Sequence, residues 1–213
     1  MRYRSGALPG TRIDWLRTLL TKRDRKLDAS HLRHVRRRPG SDVLHCFVLD
    51  CSGSMLDGGK LARAKGLLVA LFDQAARQRH RVALVCFGGG VAQRRFGPAM
   101  PRWWNERWVE PIGGGGGTPL QLGLDEADRV LRRSARVAPG GASWLWLLSD
   151  GRSSEQPSPP LAAQRVIVDF EEGAIRLGRC AQLARRWHAD YRRADTLVVT
   201  EFQRVGEGYQ RGV

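Results

Sequence analysis

From residue 43 onward, short unbroken apolar runs alternate with stretches whose apolar residues recur every three to four positions. The runs "VLHCFVLD" (43–50), "HRVALVCF" (80–87), "SWLWLLSD" (143–150) and "QRVIVDF" (164–170) are apolar throughout. That pattern predicts strands covered on both faces, since a half-exposed strand would alternate. The polar "VAQRRFG" (91–97) predicts an edge strand. Helical spacing of Leu61, Ala64, Leu68, Leu71 and Ala75 predicts a helix over 60–78. Leu120, Leu124, Ala127 and Leu131 predict another over 118–136, and a third covers 176–190. Strands alternating with helices predict an α/β fold, a doubly wound and mostly parallel sheet with helices on both faces. Right-handed crossovers then bring the strand ends to one edge.

The first 41 residues follow a different pattern. Ile13, Leu16, Leu19 and Leu20 predict a short amphipathic helix within 12–27, and a polar connector (31–42) with a Pro-Gly break leads into the main domain. The expected organisation is a basic extension over 1–41 and one domain over 42–213, in keeping with a chain of 213 residues. The formal net charge is +15, and residues 1–38 hold twelve Lys or Arg against three Asp. Such a field suits a polyanion, an acidic protein partner, or solubility alone. No apolar run nears the roughly 20 residues that span a bilayer, and the N-terminus has no apolar signal core. Cys46, Cys51, Cys86 and Cys180 lack C-x-x-C spacing and read as reduced structural thiols. The expectation is a cytoplasmic protein with no membrane segment.

Chemistry concentrates where the strands end. Asp50, Ser52 and Ser54 follow the first strand in "LDCSGSM", Thr118 follows the glycine run 113–117, and Asp150 closes the fourth. Ligands of such folds bind outside the carboxyl ends of the strands. Each group alone has an ordinary explanation. The serines are turn residues, Thr118-Pro119 is a helix cap followed by proline at the first helical position, and Asp150-Gly151 is a turn dipeptide. Together they are five hard oxygen donors on one edge, a set suited to magnesium, with manganese as a substitute. A P-loop does not fit, because Lys60 is misplaced relative to Gly53 and Leu61 stands where Ser or Thr should follow. A serine hydrolase does not fit either: "CSGSM" is not G-x-S-x-G, and no histidine is placed as a base.

The D-x-S-x-S pattern of "DCSGS", the threonine of "GGTPL" and the aspartate of "LLSDGR" resemble the metal-ion-dependent adhesion site (MIDAS) of von Willebrand factor A domains. The resemblance implies a Rossmann-like domain with direct magnesium ligation by Ser52, Ser54 and Thr118, and Asp50 and Asp150 acting mostly through water. A narrower resemblance rests on "DWLRTLL", "KLARAKGLLVALFDQAARQRHRVALVCFGG", "GGGGTPLQLGL" and "VDFEEGAIRLGRCAQLARRWHADYRRADTL". These phrases look like the C-terminal part of magnesium chelatase D subunits and short stand-alone relatives linked with cobalt chelation. That implies a non-catalytic adapter whose metal receives an Asp or Glu from an AAA+ ATPase. The ATPase in turn drives a large chelatase subunit that inserts metal into a tetrapyrrole, as in a cobalamin-type pathway. The D subunit's own AAA+-like domain is absent from this sequence, so the ATPase is expected in trans.

The alternative is a domain of this family that binds RNA or another polyanion through its basic surface, or that serves a different AAA+ ATPase. Nucleic acid is the weaker reading, since no aromatic-interleaved basic motif of a known RNA module is present. Asp169, Glu171 and Glu172 fall at the same edge and read as helix-start or solvated acids before partner contacts. Trp103, Trp104 and Trp108 read as packing residues, with a protein-contact anchor as the second choice. His45, inside a strand, reads as a core or edge histidine.

Overall fold

The computed structural model describes residues 13, 15–33, 42–101, 119–162, 164–173 and 176–197. Thr118, the glycine run 113–117, His34, Trp103, Trp104 and Trp108 lie outside them. The chain divides into two compact units, Met1–Ser41 and Asp42–Val213.

In the first unit, helix α1 (Trp15–Lys22) is shorter than its apolar period predicts. Arg23 adopts φ +49°, a left-handed conformation that an L-residue holds only at a terminus or turn. Trp15, Leu16, Leu19 and Leu20 of this helix are exposed. A 3₁₀ turn, Ala29–His31, is closed by a reciprocal cap: the Asp28 side chain accepts from the Ser30 N–H, and the Asp28 N–H donates to His31 Nδ1.

The second unit is built on six strands: β1 (Val43–Asp50), β2 (Arg81–Gly88), β3 (Val91–Ala99), β4 (Ala142–Ser149), β5 (Gln164–Asp169) and β6 (Asp190–Arg193). They lie in the order β3-β2-β1-β4-β5-β6, all parallel except β3, which pairs antiparallel with β2 at the edge. Between β1 and β2 the chain forms α2 (Gly53–Leu56), a 3₁₀ turn (Asp57–Gly59) and α3 (Lys60–Arg77). Helix α4 (Leu120–Val137) precedes β4, and α5 (Arg179–Trp187) lies between β5 and β6.

Apolar side chains on alternate strand positions build two cores, one on each face. Phe47, Leu49, Leu84, Trp146 and Val168 meet Leu61, Leu68, Leu71 and Phe72 of α3. Leu44, Cys46, Val48, Leu145, Leu147 and Ile167 meet Leu124, Ala127 and Leu131 of α4 and Ala184 and Trp187 of α5. Each Leu or Phe buried this way contributes about 2 kcal/mol. The continuous apolar runs therefore reflect burial on both sides of the sheet. The four cysteines are free and buried, and burial pushes the Cys46 thiol up to about 12.

Other boundaries differ from the sequence reading as well, which also leaves β6 and α2 unseen. The helix expected over 176–190 ends at Trp187, because His188 turns left-handed at φ +50°, and the chain re-enters the sheet as β6. The four residues of β6, Asp-Tyr-Arg-Arg, carry no apolar period to betray a strand. Helix α4 starts at Leu120 with Pro119 at the cap position, one residue later than expected. The α2 turn is too short to show a period of its own.

Candidate metal-binding site

The order of the strands reverses between β1 and β4, whose connections leave in opposite directions, opening a crevice at their carboxyl ends. Asp50 is the last residue of β1, and Asp150 directly follows β4. The parallel pairing of Leu49 with Leu148 sets Asp50 opposite Ser149, with Asp150 one position beyond, so the two carboxylates reach the same edge across a separation of 100 positions.

After Asp50 the chain continues the ladder for one more bond, from the Cys51 N–H to the Phe87 carbonyl (2.7 Å), then turns sharply into α2. Gly88 makes the turn sterically feasible. A Cβ there would stand 2.9 Å from the Cys51 carbonyl carbon and oxygen. The turn projects Ser52 and Ser54 toward the same crevice, with Ser52 Oγ and Ser54 Oγ 3.1 Å apart. Ser52 occupies the cap position of α2, yet its hydroxyl makes no capping bond. Plain turn chemistry thus leaves that oxygen for another task.

The hydrogen-bond directions follow from which groups can donate. Ser54 Oγ donates to Asp150 Oδ1 (3.1 Å), an ionised carboxylate being acceptor only. Its single proton is then used, so in the serine pair Ser52 donates to Ser54. Both hydroxyls keep lone pairs available to a cation. Asp50 Oδ1 accepts from the Ser52 N–H (2.9 Å) and Oδ2 from the Ser149 hydroxyl (2.7 Å). Lys60, at the start of α3, donates from Nζ to Asp150 Oδ2 (2.8 Å) and to the Ser54 carbonyl (2.9 Å).

The two aspartates differ in their counter-charge. Asp150 is 1% exposed and paired with a lysine that is itself buried. Asp50 is 0% exposed, and among the described residues its partners are neutral donors only. Burial, with a smaller contribution from nearby Asp150, pushes the Asp50 carboxyl above its ordinary range. A buried anion held by neutral donors beside two hydroxyl oxygens is chemically suited to a small hard cation. Among the described residues no group of three or more His, Cys, Asp or Glu could hold a metal, so a thiolate, imidazole or multi-carboxylate cage is not what is assembled here.

Four of the five residues singled out in the sequence, Asp50, Ser52, Ser54 and Asp150, therefore meet at one place. The fifth, Thr118, lies outside the described residues. Two members were missed. Ser149 is silent in sequence because it reads as the end of an apolar strand. Lys60 had a signal: it falls on the apolar stripe of α3 with Ala64, Leu68 and Leu71, where a cation is out of place. The neighbouring acids turn out to be structural for the most part. Asp169 accepts from the Glu171 N–H (2.8 Å) and the Tyr191 hydroxyl (2.7 Å). Glu171 accepts from the N–H groups of Leu177 and Gly178 ahead of α5, and both acids are buried. Glu172 is exposed and pairs with Arg63 of α3.

Comparison with known proteins places the fold. The crystal structure of a conserved hypothetical protein, BatB, from Bacteroides thetaiotaomicron superposes with a TM-score of 0.54 at 18% identity, covering 79% of this chain and 98% of that one, a likeness of fold. An uncharacterized protein of Mycobacterium tuberculosis is 31% identical over 201 residues, 84% of this chain and 32% of that protein. The magnesium-chelatase 60 kDa subunits of Cereibacter sphaeroides and Rhodobacter capsulatus are 36% and 34% identical over 160 and 134 residues, 68% and 63% of this chain. The chain spans between 23% and 32% of the length of these three relatives. The family model for the von Willebrand factor type A domain matches residues 46–152, from within β1 through the turn after Asp150. With half its length inside that match and the fold to accompany it, the chain belongs to the von Willebrand factor type A domain family.

Proposed function

We propose that the protein is a non-catalytic, magnesium-dependent binding adapter in a chelatase-type complex. In this reading residues 42–213 are the binding domain and residues 1–41 a basic extension. Ser52, Ser54 and Thr118 would hold the cation directly, and Asp50 and Asp150 mostly through water, with manganese able to replace magnesium. When bound, such a cation supplies an open coordination position for a carboxylate brought by another protein. The partner is an AAA+ ATPase, which contributes an Asp or Glu, and through it a large chelatase subunit that inserts magnesium or cobalt into a tetrapyrrole. The similarity to magnesium-chelatase subunits supports a chelatase-related role.

The observation that carries the reading is the convergence of Asp50, Ser52, Ser54 and Asp150 at the strand-order reversal, with Asp50 buried among neutral donors. A hydrolytic role has no support at this place. The hydroxyls are joined to each other and to Asp150, and no described histidine takes part in that network. Among the described residues no helix is long and apolar enough to cross a membrane.

The test is thermal unfolding with Mg²⁺ or EDTA, and capture of a purified AAA+ chelatase subunit, for wild type and Thr118→Ala. Wild type should be stabilised by Mg²⁺ and should capture the ATPase only with metal, whereas Thr118→Ala should lose both responses. A variant that loses about 1 kcal/mol of stability but keeps its Mg²⁺ response would make Thr118 a helix-entry residue and not a ligand.

A further inference from the structure

Lys60 is the least expected side chain at this edge. It opens α3 on the stripe that faces the sheet and is only 7% exposed. A lysine stem is long enough to carry its ammonium to solvent, and usually does. Here it turns inward and joins two parts of the site, Asp150 through Oδ2 and the β1–α2 turn through the Ser54 carbonyl. Burying such a pair is costly unless its geometry is good, and both contacts here are short. The lysine is thus a cation already fixed within the donor set that would receive a metal.

We propose that Lys60 is a tethered competitor for the divalent cation, and that it also gives the loaded site the positive charge that draws an external carboxylate. This rests on the reading that Asp50, Ser52, Ser54 and Asp150 hold such a cation. With Asp50 and Asp150 ionised, Lys60 leaves one net negative charge before a divalent ion enters and one net positive charge afterwards. Without Lys60 the same site would pass from two negative charges to neutrality. An acidic ligand is therefore repelled by the empty wild-type site and attracted by the loaded one, and that reversal of sign depends on Lys60. Affinity for the metal is the quantity given up, since a fixed positive charge a few ångströms away opposes a second cation.

The experiment uses the full chain and Mn²⁺ as the probe, titrated by electron paramagnetic resonance, with wild type, Lys60→Gln and the charge-retaining Lys60→Arg. Lys60→Gln should bind Mn²⁺ at least about tenfold more tightly, as expected for loss of one nearby unit charge, with Lys60→Arg close to wild type. Relaxation of acetate methyl protons by the Mn²⁺-loaded proteins should show acetate bound several-fold more weakly by Lys60→Gln. Equal or weaker Mn²⁺ binding by a folded Lys60→Gln overturns the role of Lys60 and leaves the metal reading standing. No Mn²⁺ binding by any of the three overturns both. Binding by Lys60→Gln with none by wild type supports Lys60 as a full occupant of the cation's place. Where Lys60→Gln does not fold, wild type decides: saturable acetate binding to the Mn²⁺-loaded protein supports the charge reversal, and its absence overturns it.

Discussion

Two buried polar networks lie in the same sheet, one toward each end of its strands. Toward the amino end, the Trp146 indole N–H donates to His45 Nδ1 (3.2 Å), and His45 Nε2 lies 3.1 Å from His80 Nδ1. The first bond requires an unprotonated Nδ1, so neutral His45 carries its proton on Nε2 and donates it to His80. Burial, with a smaller contribution from His80, lowers His45 to about 3, so its ring is neutral, stacked with Phe47 and Trp144 and tilted against Trp146. At the carboxyl end, burial acts on carboxylates, of which one has a lysine and the other only neutral donors. The contrast teaches how to separate packing from function. A buried polar group answered by neutral partners of matching geometry is complete in itself. A buried anion beside hydroxyl oxygens, lacking a cation of its own, is a place where something can bind.

The largest expected effect breaks that contrast at Asp50. Asp50→Asn should abolish stabilisation by Mg²⁺, which for wild type at a hundredfold excess over Kd is worth about 2.7 kcal/mol. For a domain of this size that is a loss of roughly 5–10 °C in the metal-induced rise of Tm. In EDTA the same variant should be as stable as wild type or more so, because a buried charge has been removed. Differential scanning fluorimetry with and without EDTA reads both; a parallel fall in stability under both conditions would class Asp50 with the histidines as structural.

The histidine network should respond to acid instead of metal. His45 binds its proton at about 3 in the folded protein but at about 6.5 when unfolded, so between those values the unfolded chain carries more protons. Its contribution is fully present above pH 6.5 and declines as the pH falls through that window. By pH 5 about 2 kcal/mol should be gone. Urea unfolding at pH 7 and 5 measures this, and His45→Phe should flatten that part of the profile while leaving the Mg²⁺ response unchanged.

The smallest effect sharpens the comparison within the carboxyl edge itself. Glu171→Gln weakens the charge-assisted acceptor for the Leu177 and Gly178 N–H groups, which should cost about 1 kcal/mol without altering the response to Mg²⁺. A Glu171→Gln protein that loses its Mg²⁺ response would extend the candidate site to β5.

Much of this molecule is legible before any coordinates. Strands covered on both faces must be apolar at every position, so β1, β2, β4 and β5 announce themselves, and the periodic stripe of α3 and α4 does the same for the helices. Asp50, Ser52, Ser54 and Asp150 are legible because strand ends of a doubly wound sheet share one edge. What escapes is whatever lacks a period or acts across the chain. Strand β6 is four polar residues, whose place is set by pairing with β5. Ser149 counts as apolar-strand sequence until its hydroxyl is seen on Asp50. The acids at the end of β5 read as helix-start or solvated groups, and only the fold shows that Asp169 and Glu171 are buried and accept backbone N–H groups.

Sequence by itself determined the class of fold, the family and the donor types, because apolar periodicity and residue chemistry are local properties. Tertiary structure decided the charge state of the candidate site. Lys60 looks in sequence like a stray P-loop lysine, and only the packing of α3 against the sheet turns its ammonium onto Asp150 and leaves Asp50 among neutral donors. Charge balance in a buried site depends on which groups meet in space, and the 90 positions between Lys60 and Asp150 carry no local trace of that meeting.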